Sequence, residues 1–142
     1  MFTIYPAIDL RGGKVVRLKE GDPARMTSYS NDPAETARRW LEAGASWVHV
    51  VNLDGAFGES DNANRNALES ILKCAARVQF GGGIRSLDAI DEALSLGVSR
   101  VILGTIAIEQ PDIVADALSR FGAEKIAVGR SEERRVGKEC RL

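Results

Sequence analysis

The sequence predicts an α/β fold of parallel βα units, about half of a (β/α)₈ barrel of the TIM-barrel type. Three observations predict it. Short apolar runs at 47–51, 77–80, 100–103 and 125–128 lack the strict alternation of a half-solvated strand, so they read as parallel strands buried on both faces. Helix start and stop signals lie between them: Asp32-Pro33, Ser86 and Pro111 open, and Gly44, Gly97 and Gly122 close. The unit recurs every 25 to 30 residues or so, the repeat of a barrel of roughly 250 residues. A chain of 142 residues holds about half of that, four βα units and a fifth strand.

Each element can be justified in order. Residues 3–8 are β-branched or apolar apart from Pro6 and predict a first strand ending at Asp9. Gly12-Gly13 and the run 14–18 predict a hairpin-like excursion, and the polar stretch 19–31 a long loop. Asp32, Pro33 and Glu35 start a helix that places Ala37, Trp40 and Leu41 inward. After strand 47–51, Asn64 or Asn66 caps a helix through Leu68, Ile71 and Leu72. Ser86 caps one with Leu87, Ile90 and Leu94 on its buried face. Pro111 starts one that buries Val114, Ala117, Leu118 and Phe121. Residues 1–129 therefore read as one half-barrel domain. Residues 130–142, charged and poor in large apolar side chains, read as a disordered or non-native tail.

Composition narrows function. A net charge of −1 argues against nucleic acid as a partner, and no run approaches a membrane span. Cys74, Cys140 and the single His49 have no metal-ligand spacing, so no metal is expected. The N-terminus reaches Asp9 and Arg11 too soon for a signal peptide, which makes the cytoplasm the expected setting.

The stretch Gly81-Gly82-Gly83-Ile84-Arg85-Ser86 carries the chemistry. Glycines leave backbone N–H groups approachable, and a cation beside a helix start makes an anion site. Gly104-Thr105 repeats the arrangement one unit later, so Gly82, Gly83, Gly104 and Thr105 are candidates for one phosphate site. The competing reading is a glycine-rich turn without a ligand. Arg85 is a substrate contact or a surface arginine. Asp54 belongs to the site or caps the following loop. His49, in mid-strand, reads as a packed core residue. Asp9, by itself, reads as a cap on the turn before Gly12.

The motifs Pro6-Ala7-Ile8-Asp9-Leu10-Arg11-Gly12-Gly13-Lys14-Val15-Val16-Arg17-Leu18, Gly21-Asp22, Leu53-Asp54-Gly55-Ala56-Phe57, Gly81–Ser86 and Gly104-Thr105 resemble the phosphoribosylformimino-5-aminoimidazole carboxamide ribotide isomerases of histidine biosynthesis. The resemblance covers residues 1–129. It implies a (β/α)₈ barrel of two similar halves, each holding one phosphate of a phosphorylated sugar substrate, with this chain as the first half plus strand five. It implies an Amadori rearrangement of an aminoaldose to an aminoketose, with no cofactor. It makes Asp9 the general base and Arg17 a substrate contact. The family's second acid falls at Ser131, whose hydroxyl is far too weak an acid for the role. The family usually has aspartate where Asn52 stands. The expectation is a chain inactive by itself whose open sheet edges favour self-association, whereas the full-length form is a monomer. The alternatives are a non-catalytic phosphate-binding half-barrel, the related cyclase of the same pathway, and an isomerase that also serves tryptophan synthesis.

Overall fold

The structure is a computed structural model that describes residues 2–74 and 77–129. It contains one seven-stranded sheet whose strands run, edge to edge, β3 (Asp22–Ser30), β2 (Lys14–Lys19), β1 (Ala7–Arg11), β4 (Trp47–Asn52), β5 (Arg77–Gly81), β6 (Arg100–Leu103) and β7 (Ile126–Val128). Five strands are parallel neighbours: β1, β4, β5, β6 and β7. Helices α1 (Pro33–Glu42), α3 (Asn62–Leu72), α4 (Leu87–Leu96) and α6 (Pro111–Phe121) return the chain between them. Two short helices, α2 (Leu53–Ala56) and α5 (Thr105–Glu109), stand where β4 and β6 end. This is a partial (β/α)₈ barrel, with four βα units and the fifth strand.

One sheet face is closed and the other open. Ile8, Leu10, Val48, Val50, Val78, Val101 and Leu103 have no exposed surface or almost none, and they pack on Ala37, Leu68, Ile71, Ile90 and Ala117 of the helices. The alternate positions Asp9, His49, Val51, Gln79 and Ile102 are only half-buried. Burial on both faces, expected from the apolar runs, is therefore corrected. The runs carry Val and Ile on each face, but helices cover only one of them among the described residues.

Local signals behave as the sequence implies at three points. Asp32 accepts the Glu35 N–H at 3.1 Å, Ser86 accepts the Ala89 N–H at 3.1 Å, and Gly97 closes α4 in a left-handed conformation. Four readings change. The first strand starts at Ala7 and runs through Asp9 to Arg11, because Gly12-Gly13 turns the chain straight into β2 (Lys14–Lys19). The expected loop contains a nine-residue strand, β3 (Asp22–Ser30), antiparallel to β2. Most of β3 is exposed, so backbone pairing and not an apolar pattern holds it. Trp40 and Leu118 sit at the exposed margins of their helices, 42% and 41% accessible. Neither Asn64 nor Asn66 caps α3, since Asp61 stands at that position.

Asn64 has another task. It is 1% exposed, accepts the Gly13 N–H at 2.7 Å and donates to the Leu10 carbonyl at 2.9 Å. One helix side chain thereby ties down the turn that follows β1. The reading of residues 130–142 as a tail lies outside the described residues.

Candidate active site

Two glycine turns leave the C-terminal edge of the sheet side by side. The turn after β5 and the start of α5 wall one cavity of about 190 Å³. Gly82, Gly83, Arg85, Gly104 and Thr105 all border it, with His49 and Val51 from β4 and Ile102 from β6. The four candidates that sequence reasoning placed in one phosphate site thus border one cavity, and Arg85 borders it too. Arg85 and Thr105 are exposed at its rim.

Asp9 stands on the adjacent strand, opposite Val51 in the parallel register. Strand periodicity places it on the open face with His49. Burial pushes its carboxyl above the ordinary 3.8, and the nearby charges of His49 and Arg17 partly offset this. Arg17 lies on β2 opposite Thr27 and is exposed. A half-desolvated carboxylate with a raised pKa is suited to take a proton.

Asp54 is drawn elsewhere. It is buried, its Oδ2 accepts the Gly12 N–H at 2.9 Å, and Arg11 Nη1 lies 4.0 Å from its Oδ1. It borders a separate open cleft between the β1–β2 turn and α2, beside Arg11, Lys14 and Glu59. Its contacts fasten the turn and do not reach the glycine cavity. Ser131 lies outside the described residues. Among the described residues, no three His, Cys, Asp or Glu side chains gather as a metal site, and no helix is long and apolar enough to cross a membrane.

The glycines meet a demand that precedes any ligand. Gly82 has φ +108°, and a Cβ there would lie 2.3 Å from the Asn52 carbonyl oxygen. Gly83 has φ +77°, and its Cβ would lie 2.5 Å from the Gly55 carbonyl. The turn is pressed onto the start of α2, which Asn52 caps by accepting the Gly55 N–H at 3.0 Å. Approachable backbone N–H groups are a by-product of that close packing.

Sequence reasoning missed His49 and Gln79. His49 is not packed in the core. It borders the cavity, and its Nδ1 lies 3.0 Å from Gln79 Nε2. Burial lowers its pKa below 6.5, and Asp9 partly offsets this. Counting alternate positions back along β4 from Val51 would have put His49 on the face that Asp9 shares.

Two outcomes follow from these contacts. Gly82→Ala meets backbone atoms and a left-handed φ, so it should lose about 3 kcal/mol of stability in denaturant titration. Arg85→Ala, exposed at the rim, should leave the midpoint unchanged. The raised pKa of Asp9 means that the fold disfavours its charge. That cost is full above the folded pKa and vanishes as pH falls through it to below 3.8. Asp9→Asn should therefore raise the thermal midpoint at pH 7, with the gain shrinking to nothing in acid. A lower midpoint at pH 7 would contradict the desolvation of Asp9.

Comparison with known proteins places the chain in a family. The family described as "Histidine biosynthesis protein" matches residues 3–137. A protein of Rhizorhabdus wittichii is 53% identical over 128 residues, covering 89% of this chain and 51% of the relative. One of Thermomicrobium roseum is 48% identical over 128 residues, covering 88% and 52%. One of Rhizobium johnstonii is 51% identical over 127 residues, covering 89% and 50%. Each of the three is named as an imidazole-4-carboxamide isomerase, with two phosphoribosyl groups in the name. The chain spans about half the length of the curated relatives it matches. With a match over most of its residues, the chain belongs to the histidine biosynthesis protein family.

Proposed function

We propose that residues 1–129 form the N-terminal half of an isomerase that converts a bis-phosphorylated aminoaldose into the aminoketose. One observation carries the reading: both glycine turns open on a single cavity, one strand away from a half-buried carboxylate. Gly82, Gly83, Gly104 and Thr105, with Arg85, hold one phosphate by backbone N–H groups, a hydroxyl and a guanidinium. Asp9 takes the proton from C2 of the ring-opened sugar, and Arg17 approaches the substrate from the hairpin. Asp54 acts through the Gly12 turn by keeping the end of β1 in place. No cofactor enters the scheme, because an aldose–ketose shift needs only proton transfers. A cytoplasmic location suits such a biosynthetic step.

Ring opening needs a general acid across the sugar, and the matching position holds Ser131. This favours the second reading, a half-barrel that binds a phosphorylated sugar without turning it over. The chain alone is expected to show no isomerase turnover, and turnover near that of a two-half relative would refute this. In a protein carrying both halves, Asp9→Asn should lower kcat by about 10²- to 10⁴-fold while KM stays within a few-fold. A kcat within tenfold of the parent would remove Asp9 as the base. Product analysis separates the isomerase from the cyclase, since only the isomerase yields the aminoketose without ring closure.

Among the described residues, the sheet order leaves the outer sides of β3 and β7 unpaired. Unpaired strand edges template pairing with another chain, so self-association of the chain should be seen by sedimentation. A monomer across the micromolar range would count against it.

A further inference from the structure

Tyr5, Trp47, His49, Gln79 and Arg100 form an ordered polar chain on the open face of the sheet. The Arg100 guanidinium lies 4.6 Å from the centre of the Trp47 ring. Its Nη1 donates to Gln79 Oε1 at 3.0 Å and towards the Tyr5 hydroxyl at 3.5 Å. A guanidinium nitrogen can only donate, so the Gln79 atom facing it is the carbonyl oxygen. The amide NH₂ of Gln79 therefore points the other way, where His49 Nδ1 lies 3.0 Å from it. That NH₂ can also only donate. His49 Nδ1 must accept, and the ring proton is left on Nε2. A second proton on the ring would set N–H against N–H. His49 borders the glycine-turn cavity, and Nε2 is the ring nitrogen that Gln79 leaves free.

We propose that Gln79, oriented by Arg100, is a positioning residue that fixes His49 as the neutral Nε2–H tautomer. The imidazole then presents one permanent donor to an oxygen of a phosphorylated sugar in the cavity, and it does not compete with Asp9 for the proton. Only the identity of that sugar rests on the isomerase reading. The charged groups on the strands around His49 are Asp9 and Arg11 on β1, Lys14, Arg17 and Lys19 on β2, Arg77 on β5 and Arg100 on β6, and Arg85 borders the same cavity. Of these, Asp9 favours a charged ring, and burial outweighs it.

The test uses the chain as it is, because His49 is its single histidine and ¹⁵N labelling gives one imidazole pair. At pH 7 the long-range ¹H–¹⁵N spectrum should show Nε2 protonated and Nδ1 bare, with a titration midpoint below 6.5. Gln79→Glu replaces the donor by an acceptor. It should move the proton to Nδ1 or charge the ring, raising the midpoint by about one unit or more. Arg100→Met frees the Gln79 amide to turn over and should give a mixture of tautomers. A parent spectrum with Nδ1 protonated, or with a charged ring at pH 7, overturns the proposal. So does a Gln79→Glu protein with an unchanged tautomer and midpoint. The parent spectrum decides alone if neither variant folds. A wrong tautomer leaves the isomerase reading standing on Asp9, and absent isomerase turnover in a two-half protein leaves the tautomer result intact.

Discussion

The candidate site depends on the Asn52 side chain at the end of β4. Its Oδ1 accepts the Gly55 N–H and the Asn64 amide, and its Nδ2 donates to Asp61 at 3.0 Å. Asn64 in turn reaches Gly13 and Leu10 at the end of β1. The backbone of Asn52 is the surface on which Gly82 rests. Through its side chain and its backbone, Asn52 therefore sets the start of α2, the start of α3, the β1–β2 turn and the glycine turn after β5. Its use of both amide ends suits asparagine to this position, where the resemblance implied aspartate. An aspartate has no donor for Asp61, and two carboxylates 3.0 Å apart would repel.

Much of the architecture was legible because it rests on local chemistry. Asp32, Ser86 and Gly97 satisfy helix ends wherever those ends occur, and runs such as Val48–Val51 have few uses except as strands. What failed was written in long-range contacts. The stretch Asp22–Ser30 carries no apolar pattern and is a strand because β2 offers it a partner. Asn64 resembles a cap in sequence, and only the approach of Gly13 and Leu10 shows its role. Trp40 and Leu118 have the right spacing for a buried face but sit at its margin.

The site itself divides the same way. Glycines and flanking polar residues identified the cavity wall, since few residue types tolerate that packing. The reason was incomplete, because Gly82 and Gly83 answer first to Asn52 and Gly55 and only then to a ligand. Asp9 needed a motif to be noticed. His49 and Gln79 were invisible as a pair, being 30 residues apart and joined only by the register of β4 against β5. Asp54 had the right motif, yet it borders a separate cleft and its carboxylate is committed to Gly12.

The position of Asp9 has an entropic meaning. Asp9 and Leu10 pair with β2 on one side and with β4 on the other. The backbone of the proposed base is thus ordered by the fold, and none of the binding free energy of a substrate goes to ordering it. Arg17 and Arg85 are exposed, with their long side chains free to sample rotamers. On the proposed reading, a sugar phosphate arriving at this surface meets a backbone-ordered proton acceptor and adaptable cations. The loss of freedom on binding then falls on the exposed arginines, while the strand that carries the proposed base keeps its place.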